Sequence, residues 1–193
     1  MSNKIEELSV EELGQLFPIE IVPYNTEWPI SFQKEEELLK ETLSDQIAVR
    51  IEHFGSTAVP GLAAKPTIDI LIEIPILTDE LKNTIIEKMN SIGYDFIWRA
   101  DDPVPYAMFA KGYTLEGIKK QSFHIHMAEY NHTLWDRLYF RNYLRQDLET
   151  LKEYAKLKIE LSRKYKTDRE AYTEAKTDFI NTITTKAKKF GST

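Results

Sequence analysis

The chain has 193 residues, a net charge of −6, 42% hydrophobic residues and 22 aromatic side chains, enough apolar mass for one core. With no cysteine it has no disulfide, zinc–thiolate site or thiol nucleophile. Residues Met1–Glu7 are acidic and lack an apolar signal-peptide core, and no apolar run reaches the ~20 residues of a membrane span, so a soluble cytoplasmic protein is expected.

Ser9-Val10-Glu11-Glu12 has capping-box spacing, which predicts a short helix to Leu16. Ile19–Val22 reads as a short strand ended by Pro23. A turn carrying Trp28 leads into a helix over about 29–43, where Phe32, Leu38 and Leu39 are available for burial and Trp28 and Phe32 cap the core. Strands are predicted at about 48–54 and 67–74. Thr78 with Asp79 and Glu80 starts a helix that Gly93 ends. Three further strands follow at 95–99, 106–113 and 122–128, with Gly112 and Gly117 marking turns. From Thr133 the pattern is helical. Tyr154, Leu157, Leu161 and Tyr165 share one face, Thr167–Glu170 forms a second capping box, and a last helix carries Tyr172, Ala175, Phe179, Ile183 and Ala187. These elements give an α+β fold: one domain over 1–193, with a mixed sheet and flanking helices at about 19–130 and a helical C-terminal third at about 133–190.

The segment from His53 to Ile72 carries the most chemistry. An apolar strand stops at Gly55-Ser56-Thr57, a small-residue loop ends in Lys65, and a second apolar strand holds one aspartate, Asp69. Glycine permits close backbone approach, and the two hydroxyl residues offer donors to a phosphate. A carboxylate among aliphatic residues is costly unless it meets a cation or a hydrogen-bonding ligand. Two-metal chemistry needs a second carboxylate two positions on, and that position is Leu71. Glu73 lies about 13 Å further along the strand and cannot share an ion with Asp69.

His124 and His126 alternate on a strand and so share a face. Beside Asp69 they would complete a metal set of one carboxylate and two imidazoles, with either histidine also suited to general base work. Sheet or loop partners could equally satisfy both rings. Arg141 and Arg145 are four apart on a helix, as are Tyr172 and Lys176, and such pairs suit phosphate recognition or surface ion pairs. Residues 133–193 hold 14 Lys and Arg against 9 Asp and Glu, whereas the rest of the chain is strongly acidic. That balance opposes broad nucleic-acid binding but leaves room for a small phosphorylated ligand.

The run Gly55–Pro66 with Ile68-Asp69-Ile70 closely resembles the motif of GrpB-family proteins. Val22-Pro23-Tyr24, Trp28-Pro29, the His124-Ile125-His126 strand, Phe140–Arg145, Tyr154–Lys158 and Asp168-Arg169 with Tyr172 and Lys176 extend the resemblance over about residues 20–187. The family is similar in fold to nucleotidyltransferases, and some relatives are fused to dephospho-coenzyme A kinase. By resemblance, Gly55 and Ser56 would hold nucleotide phosphates, and the reading of the residues themselves adds Thr57, Lys65, Arg141, Arg145 and Lys176 as phosphate- or nucleotide-binding candidates. Asp69, His124 and His126 would hold Mn or Mg and carry catalysis. Two activities fit: a nucleotidyl- or phosphoryl-transferase acting on a small acceptor, or a catalytically reduced module that binds a nucleotide or coenzyme A-like ligand. Leu71 in place of the second carboxylate is where the chain departs from the superfamily pattern.

Overall fold

The structure is a computed structural model that describes residues 8–100 and 104–191; the expectation for Met1–Glu7 lies outside them. Helix α1 (Val10–Leu16) opens on a complete capping box between Ser9 and Glu12. The expected strand at 19–22 reduces to one bridge, Val22 to Ala64, because Pro23 follows and cannot donate to a ladder. Helix α2 (Glu27–Leu43) leads to strands β1 (Arg50–His53) and β2 (Thr67–Glu73), with a single 3-10 turn (Ser56–Ala58) between them. Helix α3 (Asp79–Ser91) is capped by the Thr78 hydroxyl, and Gly93 follows it with φ +83°. Strands β3 (Asp95–Arg99), β4 (Tyr106–Thr114) and β5 (Gly117–Ala128) complete one sheet of order β1-β2-β5-β4-β3. Only β2 and β5 run parallel, so the sheet is mixed.

The two sheet faces have opposite characters, as a period of two requires. Ile68, Ile70, Ile72, Phe109, Ile125 and Met127 point into the main core beneath α2 and α3. Trp28 lies within that core instead of capping it. The other face carries Asp69, Leu71, His124 and His126. A second cluster of Phe54, Leu71, Tyr106, Leu134 and Leu138 covers one end of it.

The C-terminal helices α4 (Arg137–Gln146), α5 (Leu148–Lys164), α6 (Arg169–Glu174) and α7 (Thr177–Lys189) pack over this second face. Val59 and Leu62 from the β1–β2 loop join Leu144, Leu151 and Tyr154 in one apolar cluster, which fixes the loop against α4 and α5. Three expectations shift here. Asp168 caps α6, since its carboxylate accepts from the Ala171 N–H and Thr167 stands outside. The expected last helix is two, broken at Ala175 and Lys176, so Tyr172 lies in α6 while Lys176 sits in the break itself. Gly112 forms a β-bulge and not a turn.

Candidate metal and phosphate site

The parallel register places Asp69 directly beside His124, and Leu71 beside His126. Asp69 Oδ1 is 3.5 Å from His124 Nδ1, and one ligand atom from each of Asp69, His124 and His126 lies within 4.8 Å of the others. The remaining ring nitrogens are both held by tyrosines. His124 Nε2 is 2.7 Å from the Tyr113 hydroxyl, and His126 Nδ1 is 3.2 Å from that of Tyr106. Such outer partners orient imidazoles toward an ion and settle which nitrogen is free. The Gly112 bulge produces the first of these contacts, because the register shift between Lys111 and Tyr113 turns the Tyr113 ring over His124.

The electrostatics suit a cation. Burial pushes the Asp69 carboxyl up, but the His124 hydrogen bond, followed by the two neighbouring imidazoles and then Lys65, outweighs it and holds the group at about 2. Burial drives His126 down to about 3, so its imidazole is neutral at physiological pH, the form that ligates. Two imidazoles with one carboxylate favour Mn, Zn or another transition ion over Mg. Leu71 is fully buried in the second apolar cluster, so the position two residues past Asp69 is dry.

Gly55 stands against the metal candidates for a spatial reason. Its backbone has φ −68°, which any residue adopts, but a Cβ would fall 2.0 Å from Asp69 Oδ2. The close approach that requires glycine is therefore to the aspartate. Ser56 is half-exposed at the start of the 3-10 turn. Thr57 turns inward: its hydroxyl donates to the Thr67 carbonyl and accepts from His53 Nε2, which fixes the His53 tautomer. His132 caps the second 3-10 turn (Thr133–Asp136).

The basic residues divide into two sets. Arg141 is buried, its guanidinium donating to Glu52 Oε2 and to the His53 carbonyl, each at 2.8 Å. Arg145 donates twice to the Ala58 carbonyl. Both arginines thus grip the β1–β2 loop from outside. Lys65 and Lys176 turn inward instead, with their Nζ atoms 5.5 and 4.1 Å from the centre of the Tyr172 ring. Lys158, not singled out from the sequence as a binding residue, joins them at 2% exposure, 4.8 Å from the Tyr154 ring and 2.5 Å from the Ala63 carbonyl. The signal was its position one turn after Tyr154, on the face that proves to be buried. Burial and neighbouring like charges lower Lys65 to about 8 and Lys158 and Lys176 to about 7. A surface groove of about 530 Å³ along α5, lined by Leu151, Ala155 and Ile159, includes none of these groups.

This is an α+β protein whose polar sheet face joins a candidate Asp-His-His metal set to a glycine-serine loop and a cluster of lysines. The chain belongs to the GrpB family, whose "GrpB protein" model matches residues 18–186. It is 37% identical over 166 residues to a UPF0157 protein of Pseudomonas aeruginosa, with 86% of this chain and 66% of that protein covered. It is 34% identical over 184 residues to UPF0157 protein YqkA of Bacillus subtilis, covering 95% of this chain and 51% of that one. The chain therefore spans about half to two thirds of the length of these two curated relatives. A crystal structure of conserved protein GrpB from Enterococcus faecalis superposes with a TM-score of 0.75 at 29% identity, covering 89% of this chain and 99% of that one. Two looser matches are a dephospho-CoA kinase of Mycolicibacterium paratuberculosis, 42% identical over 92 residues with 45% and 21% covered, and the Cid1 poly(U) polymerase. The Cid1 overlap, with a TM-score of 0.41 at 17% identity over 79% of this chain and 43% of that one, is too loose to assign an activity.

Proposed function

We propose that this chain binds a nucleotide or another phosphorylated small molecule at the polar sheet face, together with a divalent ion, and transfers a nucleotidyl or phosphoryl group to a small acceptor. The observation that carries the proposal is the convergence of Asp69, His124 and His126 beside the Gly55-Ser56 loop. Asp69 and the two imidazoles would hold the ion, with Tyr113 and Tyr106 fixing ring orientation. When bound, the ion neutralises phosphate charge and polarises a phosphoryl oxygen. Ser56 would donate to a phosphate oxygen, and Lys65 and Lys176 would act as point charges on the phosphates. Arg141 and Arg145 serve this site indirectly by holding the loop in place.

Calorimetric titration of the purified protein with Mn²⁺, and then with a nucleoside triphosphate in the presence of Mn²⁺, tests the proposal. Asp69→Asn is expected to weaken Mn²⁺ binding about 10- to 100-fold or more and to abolish metal-dependent nucleotide binding. Unchanged affinities for both would overturn it. The second activity, a binding module without turnover, draws on Leu71, whose burial in apolar surroundings leaves one carboxylate for the ion. The partial match to a dephospho-CoA kinase makes coenzyme A-like ligands its natural candidates. Nucleotide binding without turnover across a panel of small acceptors would favour that activity.

A further inference from the structure

We infer that Lys65, Lys158 and Lys176 form one polyanion site that takes the linked phosphates of a di- or triphosphate chain in preference to a single phosphate. The inference deepens the function proposed above and relies on it for the identity of the complete ligand. The three lysines come from three separate parts of the chain: the β1–β2 loop, the buried face of α5, and the junction of α6 and α7. Tyr172 lies beneath two of the ammonium groups and Tyr154 beneath the third. Val59 and Leu62, which follow the glycine-serine turn, pack in one cluster with that same Tyr154, which joins the lysine cluster to the loop.

Among the described residues, no carboxylate forms a salt bridge with any of the three. The acid whose field reaches all of them is Asp69, already engaged by His124, while Arg169 and Arg137 add positive charge nearby. The flanking phenols of Tyr154 and Tyr172 are pushed up by burial and stay neutral. Clustered, partly buried like charges without a counter-ion oppose folding unless a ligand or deprotonation relieves them. Lys158 gives one of its three N–H groups to the Ala63 carbonyl, which leaves two for a ligand. A chain of two or three phosphates offers three ammonium groups more anionic oxygens, and so more charge-assisted bonds, than one phosphate does. Its charge would draw the lysines back to the protonated state, so binding takes up protons.

Calorimetry in EDTA, at pH 8 in buffers of different ionisation enthalpy, separates this site from the metal. Sodium tripolyphosphate is expected to bind at least ~10-fold tighter than orthophosphate, with net proton uptake. Lys158→Met and Lys176→Met should each weaken tripolyphosphate binding by about 10- to 100-fold, the size of one charge-assisted hydrogen bond, and reduce that uptake. Lys152→Met, on the exposed side of α5, should change neither. Asp69→Asn, which removes the nearby negative charge, should leave metal-free tripolyphosphate binding intact or tighter even as Mn²⁺ binding is lost. Wild-type protein that binds tripolyphosphate but not Mn²⁺, or an Asp69→Asn variant with unchanged Mn²⁺ affinity, therefore tells against the metal proposal and leaves this one standing. Equal affinity for the two anions, no binding, or wild-type affinity in either folded lysine variant overturns the inference. If Lys158→Met does not fold, Lys176→Met, at a half-exposed position, decides it.

Discussion

Arg141 and Arg145 stand one turn apart on α4, yet they hold the backbone on opposite sides of Gly55 and Ser56, at the His53 and Ala58 carbonyls. Their i, i+4 spacing was legible in the sequence; the partners were not, because Glu52 lies 89 residues from Arg141. Burial works against ionisation of Glu52, and its bonds to Arg141 and Arg50 prevail and keep the carboxyl below its usual range. Arg141→Met strips a mostly buried carboxylate of its main partner. It should cost about 3 kcal/mol in urea unfolding, with part of the loss recovered when Glu52→Gln is added. Lys158 shows the opposite kind of illegibility. A lysine within an apolar helical stripe reads as a side chain reaching for solvent, and only the fold shows that both Tyr154 and the Ala63 carbonyl enclose it.

Among the elements, β4 departs most usefully from expectation. Gly112 reads as a turn because a glycine with positive φ serves turns and bulges alike. Here it has φ +96°, and a Cβ would meet the Gln121 carbonyl oxygen at 2.7 Å. Gly112→Ala should therefore cost about 1–3 kcal/mol in thermal unfolding. It should also flatten the bulge, release Tyr113 from His124 and weaken Mn²⁺ binding about 10-fold, read from the electron paramagnetic resonance signal of free Mn²⁺. Strands β1, β2 and β3 and the starts of α1 and α3 were legible through alternation and caps, Ser9 and Thr78 among them. The α6–α7 break was not, because Tyr172 and Phe179 continue an apolar stripe across it.

Across the whole molecule, the buried groups set an acid limit. His53 stacks on Phe32 and donates to Thr57, and burial lowers it to about 4. Above pH 6.5 the ring is neutral in both folded and unfolded chains. As pH falls from 6.5 to about 4 the unfolded chain takes up the proton and the folded one does not, so stability falls by up to about 1.4 kcal/mol per pH unit from this residue. His53→Gln should reduce that slope in urea unfolding measured between pH 6.5 and 4.5. Membrane insertion through a helix has no candidate, since no helix of the described residues is long and apolar enough to span a bilayer. The α+β class and the shared face of His124 and His126 followed from alternation along the strands, and convergence with Asp69 was an expectation conditional on β2 and β5 lying side by side. The pairing of those strands did not follow, because residues 67–73 meet 122–128 across an intervening helix and hairpin that local patterning cannot place. That long-range parallel pair has a kinetic consequence. The loop it closes is entropically expensive and nothing local rewards it, so contacts between β2 and β5 belong to the slow part of folding. The face that carries Asp69, His124 and His126 thus matures only after the chain has committed to its complete topology, and a partly folded molecule does not bring the three side chains together.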